Sequence, residues 1–197
     1  MPLRNAILEA AIKELQENSE AGFRVTRVAD EAGCVVSVLY HHFNNREGLI
    51  DAALVEIMRK EGEEVSERFE PIIASASSID DVVTAFKDYA RALHGPSRAD
   101  NRKVRLQVLA AQQSRPLVQS AWRSLSAQTQ QTNERMIESL KANGLVDNSL
   151  DTATVALFMR MLDFGRVLDE SMEAPFVDLE AWIDFIGILA ERLLRSR

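Results

Sequence analysis

One cysteine, Cys34, stands in a chain of 197 residues. It excludes an intrachain disulfide. With His41, His42 and His94 as the whole histidine set, there is neither an HExxH spacing nor a Cys/His cluster for zinc. Glycine (8) and proline (5) are scarce, so the many tight turns of an all-β protein lack their usual residues. No run of 18 apolar residues occurs and the N-terminus has no apolar h-region, so neither a membrane span nor a signal peptide is expected. A basic excess is missing too: the net charge is −7, with −2 over residues 1–60 and −5 over the remainder. Phosphate neutralisation favours basic surfaces, so any contact with nucleic acid must come from a small local face. No nucleophile–base signature, phosphate loop or metal spacing is found, so no catalytic residue, metal or cofactor is expected. The cysteine usage fits a reducing, cytoplasmic setting.

What is present favours helix throughout. Leu, Ala, Glu, Arg and Gln recur, and the 46% hydrophobic content suffices for a real core. Apolar periodicity predicts an all-α chain of about nine helices. The first covers about 3–19, with Ile7, Leu8, Ala11, Ile12 and Leu15 on one face, and Gly22 ends it. Short helices follow over 25–32 and 36–42, separated by Gly33. Asn44 and Asn45 turn the chain into a long fourth helix that is expected to stop before Pro71, with Val65 a candidate for its stripe. Ser78 with Asp81 three residues on reads as the start of a fifth helix, which stops at Gly95-Pro96. A sixth covers 101–113, and a seventh runs from Pro116 to Asn143-Gly144. The eighth (151–171) and ninth (178–195) are apolar on most sides, which calls for two buried faces, one in the subunit and one against a partner.

The segment FRVTRVADEAGCVVSVLYHHFNNREGL, residues 23–49, carries the most specific signal. Two helices too short to persist alone flank a glycine able to make a sharp turn, which is helix-turn-helix geometry with the second helix in the major groove. The pattern Ala29-x-x-Ala32-Gly33-x5-Leu39-Tyr40-x-His42-Phe43-x-x-Arg46-x-x-Leu49 resembles the TetR/AcrR family of bacterial repressors over about the first 55 residues. The resemblance implies an all-helical homodimer that binds a double-stranded DNA operator and is released by a small molecule. It implies phosphate contacts at Tyr40 and Arg46, base contacts from Val35 to Val38, and a dimer built on the last two helices.

Physical chemistry adds His41 and His42 as phosphate donors, and Ser37, Arg24 and Arg27 as sources of base specificity. Val35, Val36 and Val38 can touch only thymine methyl groups. Arg24 and Val35 stand where the family usually has a capping Ser or Thr, unless Thr26 or Ser37 caps a later start. Gly48 stands where a Glu would complete a capping box. Cys34 reads as a small buried hydrophobe, and Asp30 and Glu31 as facing away from DNA.

The expected organisation is a helix-turn-helix domain over 1–46 and an effector-binding and dimerisation bundle over 47–197, with a helix at about 47–69 joining them. Phe86, Tyr89, Trp122, Leu125, Thr129, Thr132, Phe158 and Met161 form the candidate effector pocket, mostly apolar walls with a few polar groups. Leu162, Gly165, Trp182, Ile186, Leu189 and Leu193 form the candidate dimer interface, with Gly165 allowing close helix approach. Arg160 and Asp163 sit in the apolar eighth helix, where they pair with each other, meet a cationic effector or face the dimer partner. The alternative function is a dimeric ligand-binding protein whose reading head has weakened, motivated by the acidic charge and missing caps.

Overall fold

The helical periodicity is realised in full in a computed structural model. It describes residues 2–172 and 174–194, apart from the side chains at 64–66, 97, 99–101, 103 and 193. Val65 and Leu193 therefore lie outside the described side chains, and 195–197 outside the described chain. Among the described residues there are nine α-helices and no strand: α1 Leu3–Gly22, α2 Val25–Glu31, α3 Val36–Phe43, α4 Arg46–Ala74, α5 Ile79–His94, α6 Ala99–Ala111, α7 Pro116–Ala142, α8 Thr152–Glu170 and α9 Leu179–Leu194.

The chain folds into two compact units, one of residues 1–61 and 100–125, the other of 62–99 and 126–197. The chain passes between them inside α4, at the start of α6 and inside α7.

In the first unit, α1 to α3, the start of α4, α6 and the start of α7 share one core. Ile7, Ala11, Leu15, Val28, Leu39, Leu49, Ile50, Leu54, Val104, Val108 and Val118 are sealed from water in it. Each large aliphatic side chain so placed contributes roughly 1.5–3 kcal/mol. The regular turn of α1 breaks at Ser19, whose φ is 55° and ψ 178°, and a last turn closes at Gly22. Gly33 makes the turn after α2 at φ +68°, a conformation that costs an L side chain about 1–2 kcal/mol. Asn44 ends α3 at φ 65°, and the Asn45 side chain accepts from Gly48 N at 2.7 Å to cap α4. A Cβ on Gly48 would lie 2.3 Å from the Phe43 carbonyl oxygen. The α3–α4 turn is so tight that the Glu of a capping box has no room there.

The second unit holds α5, α8, α9 and the remaining parts of α4 and α7. Its core includes Ile73, Val82, Ala85, Ile137, Leu140, Ala156 and Leu194. The expected start of α5 is a reciprocal capping box: Asp81 N donates to Ser78 Oγ (3.1 Å) and Ser78 N to Asp81 Oδ2 (2.9 Å). Asp151 caps α8 by accepting from Thr154 N at 2.8 Å. Lys87–Asp184 (2.8 Å) and Arg91–Glu180 (3.2 Å) link α5 to α9 along their exposed edge. The expected stop of α4 before Pro71 is corrected, since α4 continues to Ala74. Proline forfeits its own N–H bond and crowds the carbonyl four residues back, yet Ser75 N still reaches Pro71 O at 3.1 Å, and Phe69 and Ile73 are buried on either side.

Candidate nucleic-acid interface and effector cavity

The reading head is built from which sides of α2 and α3 are consumed by the core. On α3, Leu39 and Phe43 are buried and Val36 packs against the core, so one side of the helix faces inward. Val35 (64% exposed), Ser37, Tyr40, His41 and His42 stand outside, as do Arg24 and Arg27 on α2. Val36 is thus half spent on packing, and the outward face carries Val35, Ser37, Tyr40 and His41 together.

The start of α2 is Arg24 and that of α3 is Val35, with no side-chain cap on either. Thr26 and Ser37 do not serve as caps, because Val25 and Val36 are already helical. A distant group assists α2. Buried Glu14 of α1 accepts from Arg24 N at 3.1 Å and lies 3.6 Å from the Arg27 guanidinium, placing a carboxylate at the positive end of the short helix.

Arg46 is turned inward. Its Nη2 donates to Glu20 O at 2.6 Å, and its guanidinium lies 5.7 Å from the centre of the Phe23 ring, bracing the α1–α2 connection. Arg115 braces the same region through Asp51 (2.8 Å) and Glu20. Glu31 is drawn to Lys13 of α1 at 2.7 Å. Cys34 is partly buried against the core.

The second unit contains a cavity of about 110 Å3 between α5, α7, α8 and α9. Phe86, Tyr89 and Phe158 line it, together with Ile137, Leu140, Leu162, Trp182, Ile186 and Leu189. Trp122 and Leu125 pack against the core of the first unit instead, because α7 has not yet left that unit at those positions. Thr129 and Thr132 are not among this cavity's lining residues, and Met161 is 62% exposed on another side of α8.

The polar end of the cavity was harder to foresee. His94 lines it with its side chain only 3% exposed, Nε2 lying 3.2 Å from Asp163 Oδ1 and Nδ1 3.6 Å from Glu170 Oε2. Glu170 is held by Arg166 (2.9 Å), which also bonds Asp169 (2.9 Å) and Val177 O (2.5 Å). The available signal was spacing: Val82, Phe86, Ala90 and His94 recur every four residues and continue one inward stripe.

Of the residues expected at the dimer interface, Leu162, Trp182, Ile186 and Leu189 line the cavity inside the subunit. Among the described residues, the exposed large apolar side chains are Leu157, Phe158, Met161 and Leu168 on α8, and Phe185 and Ile188 on α9; Phe158 also lines the cavity. Gly165 falls between Met161 and Leu168, and, its own helix backbone aside, no described atom comes within 4 Å of where its Cβ would be.

Residues 7–53 match the model of the bacterial regulatory proteins, tetR family. Solved structures resemble the chain over nearly its whole length. A protein described as a TetR-family transcriptional regulator from Rhodococcus sp. shares 21% identity over 98% of both chains, with a TM-score of 0.73. One from Mesorhizobium loti shares 16% over 98% of this chain and 95% of its own, at 0.80. A transcriptional regulator from Saccharomonospora viridis, solved in complex with choline, shares 17% over 98% of both chains, at 0.78. No curated protein sequence matches. Helices α2 and α3, joined at Gly33 with α3 exposed on its outer side, have helix-turn-helix geometry. Residues 7–53 thus match the tetR family model, and the whole chain shares the all-helical fold of structures described as TetR-family regulators.

Proposed function

We propose that the protein is a homodimeric, cytoplasmic transcriptional repressor, released from its operator when a small molecule occupies the cavity of the second unit. The observation that carries this is the outward face of α3, where Val35, Ser37, Tyr40 and His41 stand free of the core within a family-matched reading head. In this reading residues 1–46 dock on DNA, while 47–197 pair and sense. Tyr40, His41 and His42 contact phosphates, Ser37 and Val35 meet base edges, and Arg24 and Arg27 flank them. Arg46 braces the head more than it contacts DNA, given its bonds to the α1–α2 connection. The dimer uses the outward stripes of α8 and α9, and Gly165 admits the partner helix. The choline in the Saccharomonospora viridis relative supports a small-molecule role for this fold.

Transmission runs along α4. Its N-terminal turn is capped at the end of the reading helix, and its Phe69 stacks edge-on against Tyr89, a cavity residue, at 5.0 Å. A ligand acts only if it prefers one spacing of the two reading helices, which must match half-sites ~34–36 Å apart or a multiple.

The test is fluorescence anisotropy on duplex from the promoter beside the gene. Saturable binding that Tyr40→Phe and His41→Ala weaken is expected; no binding even at low salt overturns the reading. A second reading, a ligand-binding dimer with a weakened head, is favoured by the missing caps on α2 and α3. It predicts an affinity for duplex that does not fall with salt.

A further inference from the structure

We infer that the cavity of the second unit selects an uncharged apolar molecule, a short chain or a single ring, recognised by the apolar volume it fills. This deepens the effector reading and rests on it. Apart from Tyr89, His94 and Asp163, every described residue lining the cavity is apolar. The walls come from several helices: Phe86 on α5, Ile137 and Leu140 on α7, and Trp182, Ile186 and Leu189 on α9. Such walls give water few partners, and an apolar ligand that displaces it gains by the area it removes from water.

The polar end is committed to the wall. Asp163 Oδ1 is buried 3.2 Å from His94 Nε2, and Asp163 makes a further interaction besides. Glu170 lies 3.6 Å from His94 Nδ1 and is held by Arg166 at 2.9 Å. A cation would have to draw Asp163 away from these contacts. An anion would approach its carboxylate. Either ion would also shed water against apolar side chains, whereas an uncharged molecule gives up least. Phe158 lines the cavity and is 42% exposed, so the cavity is partly open to water on that side. Water there screens a charge left at the opening, so an ion is weakened as a ligand without being excluded.

Size sets the upper limit. The cavity, about 110 Å3, is close to the ~150 Å3 engineered apolar cavity that takes benzene. A single ring or a chain of several methylenes fits; a polycyclic ligand requires the walls to move.

The experiment is isothermal titration of the full-length protein with n-butanol, n-pentanol and n-hexanol, and with n-hexylamine (protonated at neutral pH) and n-hexanoate. Affinity is expected to rise about fourfold with each methylene of the alcohols, the equivalent of ~0.8 kcal/mol. Hexanol is expected to bind at least fivefold more tightly than either ion. Either ion binding as tightly as hexanol overturns the proposal, as does an affinity that does not rise with chain length, or binding of none of the probes. Two variants place the site. Ala190→Phe, checked for its circular dichroism and melting, fills the cavity and is expected to weaken hexanol at least tenfold. Unchanged hexanol binding in the folded variant overturns the assignment. Leu189→Ala enlarges the cavity and is expected to raise the affinity for n-octanol relative to n-hexanol; an unchanged ratio overturns it as well, whether or not the Ala190 variant folds. Operator binding is read separately. Alcohol binding that follows chain length and both variants, yet leaves DNA affinity unchanged, supports the ligand class and defeats only the effector reading.

Discussion

The two units of this protein use their apolar residues in opposite ways. The first unit spends them on closure: Ile7, Leu15, Leu39, Leu49, Ile50 and Leu54 are sealed, leaving a thin outward face of Val35, Ser37, Tyr40 and His41. The second leaves apolar surface unspent in two places, a lined cavity and the exposed stripes of α8 and α9. Under the proposed function, a reading head holds a few side chains in register for DNA and so profits from rigidity. A sensor needs an empty place for its ligand and, where it pairs, a surface for its partner. The same helical alphabet serves both, and only the allocation of buried surface differs.

Four measurements break or sharpen that contrast. The largest effect is expected on pairing. Met161→Glu combined with Ile188→Glu places charges on the outward stripes, and each would cost several kcal/mol if buried unpaired. Sedimentation should show a monomer with its helix content intact; an unchanged dimer would move the interface elsewhere. Next comes a matched pair of truncations. Leu49→Ala in the sealed core should cost about 2–5 kcal/mol. Leu189→Ala, half-buried beside an existing cavity, should cost about 1 kcal/mol. Equal losses in urea denaturation would mean that the second unit is packed as tightly as the first.

Third, Val35→Ser gives α3 the side-chain cap it lacks and should stabilise the head by about 1 kcal/mol, read as a higher melting temperature. No gain would mean that the turn at Gly33 already holds the helix start. The smallest effect concerns the α5 cap. Hydrogen bonds from the Ser77 backbone and the Ser78 and Ser77 hydroxyl groups hold the Asp81 carboxyl below its ordinary 3.8. A depressed carboxyl stabilises the fold above its unfolded pKa and loses that contribution as pH falls through the folded one. The melting-temperature gap between the unaltered protein and Asp81→Asn should be fully open near about pH 6 and close below pH 3.8.

Much of this was legible in residue order. The turn at Gly33, the cap at Asn45, the capping box at Ser78 and the end of α7 at Gly144 are local devices, each written in two to four adjacent residues. Pro71 misled because the burial of Phe69 and Ile73 carries α4 past the lost donor and the crowded carbonyl. Trp122 and Leu125 misled for a different reason: one helix serves two units, and nothing in its stripe says where it changes allegiance.

By itself, then, the sequence determined the all-helical class, the reading head with its family pattern, and the two-faced character of α8 and α9. These follow from periodicity and local sterics, which need no distant partner. Tertiary structure alone decided which face of each last helix turned inward. On α9, Trp182, Ile186 and Leu189 went to the cavity, while Phe185 and Ile188, about a third of a turn away, went to the surface. A helix apolar on most sides can bury either face, and only the shape of its neighbours chooses between them. The same choice brought His94 and Asp163, 69 positions apart in the chain, to within 3.2 Å at the one polar end of an apolar cavity.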